Sequence, residues 1–230
     1  MSSAILQGFQ ATKSAIQSAC LAASRGPETV SLVVVSKTQA TSQIEPLLQA
    51  GHRLFGENRV QEAQEKWLDL KDKYPDVELH LIGPLQSNKA GDAVALFDVI
   101  ETVDRDKIAA ALATEMEKQK RRPKLLVQVN IGVEWQKAGV HPHELSVFLD
   151  RLRNVHGLQV EGLMCIPPII DSPAKHFIRL RELASGAGLK LLSMGMSSDF
   201  EIAIAEGTTH VRVGSAIFGE RPPNNPGTAR

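Results

Sequence analysis

Ser31-Leu32-Val33-Val34-Val35-Ser36-Lys37 is the stretch that decides how this chain is read. An unbroken run of aliphatic and β-branched residues marks a strand buried on both faces, and such strands lie in parallel sheets covered by helices. The run ends abruptly in a lysine followed by Thr38. The carboxyl ends of the strands are where α/β proteins bind ligands and do chemistry. An apolar wall that partly desolvates an amine favours its neutral, nucleophilic form, which makes Lys37 a candidate Schiff-base former. The plainer reading is a surface lysine with its stem along the strand and its head in water. The rest of the chain decides between them.

Outward from this strand one pattern repeats. Upstream, Ile5, Phe9, Ile16 and Ala19 keep a helical spacing within residues 4–24, closed by Gly26-Pro27. Downstream, Ser42-Gln43-Ile44-Glu45 has the form of a capping box opening a helix that ends at Gly51. Residues 52–58 read as a short strand, followed by a helix with Val60, Ala63, Trp67 and Leu70 on one face. Further strands are expected at 78–82, 97–103, 124–130, 158–166, 190–194 and 210–213. The helices between them cover 87–96, then Ile108, Leu112 and Met116 behind Asp104 as cap, then Leu145, Phe148, Leu149 and Leu152, then 172–184. A second box, Ser198-Asp199-Phe200-Glu201, opens a helix that stops at Gly207.

Eight strands alternate with helices, without a two-strand hairpin or a linker rich in Pro, Gly or Ser. This predicts an α/β protein with a single (β/α)8 TIM barrel over residues 1–230, close to the usual length of about 250 residues. The alternative, an open doubly wound sheet, lacks the G-x-G-x-x-G turn that a nucleotide-binding version carries after its first strand. The extra N-terminal helix is expected to fill the place of a missing helix after strand eight.

Composition narrows the function. Of 230 residues, 43% are hydrophobic and 23% charged, and 26 basic residues balance 26 acidic ones, which argues against a nucleic-acid partner. The short basic run Lys118-Gln119-Lys120-Arg121-Arg122 belongs at a helix end, where cations suit the dipole. The amino terminus lacks the charged start and apolar core of a signal peptide, and no stretch approaches eighteen apolar residues, so a cytoplasmic protein without membrane contact is expected. Cys20 and Cys165 are too few and too far apart for a disulfide framework or a metal cluster, and both are read as reduced. His141-Pro142-His143 fits a turn opening a helix better than a ligand pair, so no metal site is expected.

In a barrel the residues just past each strand share one rim. They are Lys37; Glu57 and Asn58; Gly83, Gln86 and Asn88; Asn130; Met164 and Cys165; residues 194–197; and residues 212–215. Loops are polar anyway, so most of these carry little weight singly. Two stretches carry more. Met194-Gly195-Met196-Ser197-Ser198 precedes a boxed helix, and Arg212-Val213-Gly214-Ser215-Ala216-Ile217-Phe218-Gly219 offers backbone amides beside a glycine and a hydroxyl. Barrel enzymes commonly grip a phosphate in the loops after strands seven and eight. A lysine facing such a grip implies a phosphorylated carbonyl ligand.

The motifs also carry a family resemblance. Val34-Val35-Ser36-Lys37-Thr38, Phe55-Gly56-Glu57-Asn58, residues 80–89 (HLIGPLQSNK), Lys137-Ala138-Gly139, Gly162-Leu163-Met164, residues 192–197 (LSMGMS) and residues 212–219 (RVGSAIFG) occur in this order. Together they resemble the pyridoxal phosphate homeostasis proteins, across residues 30–219. The resemblance implies a fold type III barrel similar to the amino-terminal domain of alanine racemase, with pyridoxal 5'-phosphate held as an internal aldimine on Lys37. It places Arg212 toward the pyridine nitrogen, Ser197, Gly214 and Ser215 on the phosphate, Asn58 near the ring, and Met194 among the cofactor-binding residues. It implies a non-catalytic carrier in vitamin B6 homeostasis, with no catalytic residues and with PLP-dependent apoenzymes as recipients. The chain departs from the common pattern at Arg59, Cys165 and Ser198, and a thiol at Cys165 would be a competing nucleophile beside an aldehyde.

Two other readings use the same residues. A weakly active PLP-dependent racemase or decarboxylase would need a strong electron sink and a second base. Arg212 at the pyridine nitrogen weakens the sink, the one tyrosine, Tyr74, falls at the far end of a helix, and eleven residues after Gly219 leave no room for the second domain that supplies a tyrosine in racemases. A barrel aldolase would use Lys37 without PLP, and fits the strand-eight arginine and phosphate grip less well. The barrel satisfies its own amphipathic helices, so a monomer is expected.

Overall fold

The computed structural model describes residues 2–219; residue 1 and residues 220–230, part of the domain expected over 1–230, lie outside the described residues. Eight parallel strands close into a barrel in sequence order: β1 (Ser31–Val35), β2 (Leu54–Glu57), β3 (Glu78–Leu81), β4 (Val99–Val103), β5 (Lys124–Val129), β6 (Gly162–Cys165), β7 (Leu191–Ser193) and β8 (His210–Val213). The closing pair sets Val33 of β1 opposite Arg212 of β8, and Val34 opposite Val213. Around them run α1 (Ser2–Ala22), α2 (Thr41–Gln49), α3 (Val60–Lys73), α4 (Ala90–Leu96), α5 (Asp106–Gln119), α6 (Leu145–Asn154), α7 (Pro173–Gly186), α8 (Phe200–Ala205) and α9 (Ser215–Phe218).

The apolar runs lead to this arrangement because each strand must bury both faces. The outward face, with Val34, Leu79, Leu81, Ile100, Val127, Val211 and Val213, packs against helix stripes such as Val60, Ala63, Trp67 and Leu70 of α3. Trp67 and Phe55 are fully buried, with ring centroids 4.9 Å apart. Truncating either to alanine costs about 3–5 kcal/mol. The inward face holds a small apolar cluster, Val99, Leu126 and Met164. Val33 shares this face, and so do the polar side chains of His80, Glu101, Ser193 and Arg212.

The leading helix does cover the seam beside β8, packing on α2, α8 and α9. Gly8 permits the approach: a Cβ there would lie 2.9 Å from the carbonyl oxygens of Ala216 and Ile217. It shares the seam with α9, which sequence reading misses because four residues are too few to show a period.

Three expected caps form differently. α2 begins at Thr41, with Gln43 Oε1 accepting from the Ala40 amide at 3.2 Å, so the box at Ser42-Gln43-Ile44-Glu45 is not made. α5 begins at Asp106 behind Arg105, and Asp104 pairs with Arg105 instead of capping. α8 begins at Phe200, and Asp199 accepts from the Met196 amide at 2.6 Å in place of the Ser198 box.

Candidate functional site

Lys37 stands two residues beyond β1, half-buried, in a turn closed by the Gln39 amide on the Ser36 carbonyl at 3.1 Å. Next to β1 in the barrel is β8, so the residues after it share a corner with the lysine. Gly214 lies against the end of β1: a Cβ there would lie 3.2 Å from the Val35 carbonyl oxygen. Ser197 closes the corner from the β7 side, its Oγ accepting from the Gly214 amide at 3.4 Å. The Arg212 amide bonds the Gly195 carbonyl at 2.9 Å, and Gly195 adopts φ +94, which suits glycine. Lys37, Ser197, Arg212 and Gly214 therefore converge where β7, β8 and β1 end. Ser215, exposed, opens α9 at the same corner.

Two of the expected residues lie outside this corner. Asn58 stands one strand further round, its backbone against Gly83, where a Cβ would lie 2.2 Å from the Asn58 carbonyl oxygen. Met194 follows the inward-facing Ser193 and so points outward into the core between barrel and helices, and its carbonyl accepts from Thr208 Oγ1 at 2.9 Å. Its contribution is to the wall. Asn130, buried at the end of β5, organises the next loop by donating to the Glu134 and Lys137 carbonyls.

Arg212 is only 4% exposed, and it points into the barrel. Its Nη1 donates to Ser193 Oγ at 2.6 Å and its Nη2 to the Cys165 carbonyl at 2.8 Å, so it reaches across the top layer from β8 to β6. Ser193 Oγ donates in turn to Glu101 Oε2 at 2.6 Å. Glu101 Oε1 meets His80 Nδ1 at 2.7 Å, and His80 Nε2 meets Glu78 Oε1 at 3.0 Å. Burial opposes charge on His80, but the hydrogen bonds to Glu101 and Glu78 win and raise its pKa to about 9. The imidazolium at 1% exposure is thus neutralised on both sides. His210, its neighbour at 5.8 Å, is held down to about 4 by burial and then by the His80 charge.

Sequence reading misses this interior ladder. The signal was present as Glu101 within the apolar run Val99-Ile100-Glu101-Thr102-Val103, because a buried carboxylate demands a partner. The Cys165 thiol is fully buried and pushed up to about 12, chiefly by burial, so it is a neutral thiol and not the competing nucleophile. Among the described residues, no group of three or more His, Cys, Asp or Glu side chains is placed to hold a metal, and no helix is long and apolar enough to cross a membrane.

Comparison with known proteins identifies the family and the fold. The family described as alanine racemase, N-terminal domain, matches residues 15–222. The pyridoxal phosphate homeostasis protein of Pseudomonas aeruginosa is 40% identical over 224 residues, covering 95% of this chain and 96% of that one. That of Escherichia coli K12 is 39% identical over 215 residues, covering 90% and 92%. PipY of Synechococcus elongatus, solved with PLP bound, shares 40% identity at a TM-score of 0.75, covering 89% of this chain and 100% of PipY. Alanine racemase of Clostridium difficile, at 15% identity and a TM-score of 0.72, covers 95% of this chain and 58% of its own, and shows the fold alone. Fold and relatives agree, and the chain belongs to the pyridoxal phosphate homeostasis protein family, built on the barrel of the alanine racemase N-terminal domain.

Proposed function

We propose that this protein binds pyridoxal 5'-phosphate at the β7–β8–β1 corner and acts as a carrier in vitamin B6 homeostasis. The observation that carries the proposal is the buried Arg212, fixed in the barrel's top layer beside the turn that bears Lys37. The donor chemistry fits the cofactor. Lys37 supplies the amine for its aldehyde, Arg212 a permanent cation for its ring nitrogen, and Ser197, Ser215 and the Gly214 amide the donors for its phosphate. The Ser197–Gly214 contact, at 3.4 Å, is long, so those donors can turn to a ligand with little loss. Asn58 is assigned to the ring's edge and Met194 to the wall behind the corner.

Pyridoxal phosphate supplies an electron sink that most of its enzymes strengthen by keeping its ring nitrogen protonated. Arg212 opposes that protonation. The groups that could serve as a second base are poorly suited: His80 is an imidazolium between two carboxylates and Cys165 a buried neutral thiol. Tyr74 caps the end of α3 beneath Arg53, whose guanidinium lies 5.4 Å from its ring. These features favour the carrier over the racemase-like enzyme. Transfer to PLP-dependent apoenzymes, a cytoplasmic location and a monomeric state belong to the same reading. The test is the visible spectrum of protein incubated with PLP, then borohydride reduction and peptide mapping. The pyridoxyl group is expected on Lys37, and a label on another lysine sinks the assignment.

A further inference from the structure

Thr38, immediately after the proposed cofactor lysine, has φ +64. The left-handed region is costly for a β-branched residue, which persists there only when its surroundings impose it. Those surroundings belong to β2 and α3. The Thr38 amide donates to Glu62 Oε1 at 2.5 Å, on the first turn of α3. On the other side of Lys37, Ser36 is held twice: its Oγ donates to Glu57 Oε1 at 2.7 Å, and its carbonyl accepts from Lys66 Nζ at 3.0 Å. Lys66 ties the two sides together, with its amine 2.8 Å from both Glu57 and Glu62. Glu57 is fully buried, and its Oε1 also accepts from Trp67 Nε1 at 3.0 Å.

From this geometry we infer that Glu57, Glu62 and Lys66 form a clamp that positions Lys37 by gripping the residue on each side of it. The inference rests on the reading of Lys37 as the cofactor lysine. None of the three needs to touch the cofactor; they are positioning residues. A buried lysine and carboxylate make weak ground for stability alone, since an apolar pair of the same size serves as well or better. What such a pair provides here is a fixed direction for the two groups that hold the turn. Although partial burial opposes it, hydrogen bonds from Lys66 and the Thr38 amide keep Glu62 below the usual carboxylate range, so the acceptor stays anionic at neutral pH.

Removing Lys66 strands the buried Glu57 and risks the fold, so the test uses Glu62, on an accessible helix turn. In ligand-free protein, Glu62→Ala is expected to speed hydrogen exchange at the Thr38 amide by about 10-fold or more, the equivalent of one charge-assisted hydrogen bond. The same variant is expected to raise the Kd for PLP about 10-fold. Adding Thr38→Gly, which adopts a positive φ without strain, should restore most of that affinity. Exchange and affinity both within twofold of wild type in Glu62→Ala overturn the clamp. An affinity loss that Thr38→Gly leaves unrepaired overturns it as well. Wild-type protein that takes up no PLP defeats the cofactor reading separately, because exchange in the ligand-free protein still reports on the clamp.

Discussion

His80 Nδ1 and Glu101 Oε1 meet 2.7 Å apart inside the barrel, and the other oxygen of Glu101 holds Ser193, which holds Arg212. A ladder of alternating charge thus climbs the axis from Glu78 through His80 and Glu101 to the guanidinium at the top. The arrangement explains how a small barrel tolerates four ionised groups in and around its interior: each has an opposite neighbour, and Ser193 bridges the widest gap, 3.8 Å between Arg212 Nη1 and Glu101 Oε2.

This ladder makes stability depend on pH on both sides of neutrality. The folded pKa of His80 is raised from 6.5 to about 9, so its contribution is complete below 6.5 and is lost as pH rises through about 9. Glu78, held down to about 2 first by its hydrogen bond from His80, contributes above 4.5 and loses that contribution as pH falls toward 2. Urea unfolding across the alkaline window is expected to show a loss on the order of 3 kcal/mol. His80→Gln should flatten that limb, and an unchanged alkaline slope in the folded variant would refute the assignment.

Ser193→Ala removes the bridge and, of Arg212's hydroxyl and carbonyl partners, leaves only the Cys165 carbonyl. The expected loss is about 1–3 kcal/mol of stability, the cost of an unsatisfied buried donor. The measurement is the urea midpoint of ligand-free protein. If Arg212 faces the cofactor as proposed, the absorbance maximum of the PLP-loaded protein is expected to shift too, since the cation is less firmly held.

At the proposed phosphate grip, Ser197→Ala and Ser215→Ala should each weaken PLP retention by about 0.5–3 kcal/mol. Pyridoxal without its phosphate should bind far more weakly in a visible titration. Equal affinity for the two would place the grip elsewhere on the rim.

The fold was legible because strand and helix periods recur without interruption, and a parallel strand buried on both faces leaves few architectures open. That Lys37, Ser197, Arg212 and Gly214 share one corner was legible because strand order in a barrel brings β7, β8 and β1 together whatever the helices do. Met194 was not, since a sequence does not show which parity of a three-residue strand faces inward; Ser193 takes the interior and sends Met194 to the wall. The ladder was hidden for another reason. Its members come from β3, β4, β7 and β8, and only barrel closure makes Glu101 and Ser193, 92 residues apart, hydrogen-bond partners. The clamp on Lys37 was hidden likewise, because Glu62 and Lys66 look like an ordinary i,i+4 surface pair until α3 is laid beside the β1 turn.

The last prediction is that the protein turns over no common amino acid at an enzymatic rate. Racemisation needs bases on opposite faces of the substrate α-carbon, and Lys37, as the proposed cofactor lysine, would provide one. The thiol of Cys165, pushed up to about 12, is protonated and buried. His80, which would be the other residue to suspect, keeps both ring nitrogens engaged by carboxylates and has no lone pair to offer. In the place proposed for it, Arg212 would oppose protonation of the ring nitrogen and so weaken the electron sink that the cofactor supplies. A missing base is worth about 10²- to 10⁴-fold, so the residual rate should be near that of PLP alone. Added amino acids should still change the visible spectrum, because exchange at the Lys37 amine requires only access to it. The measurement is chiral chromatography after long incubation with each L-amino acid, against free PLP and the Lys37→Ala variant. Turnover well above the free cofactor, and lost in Lys37→Ala, would establish an enzyme in place of the carrier.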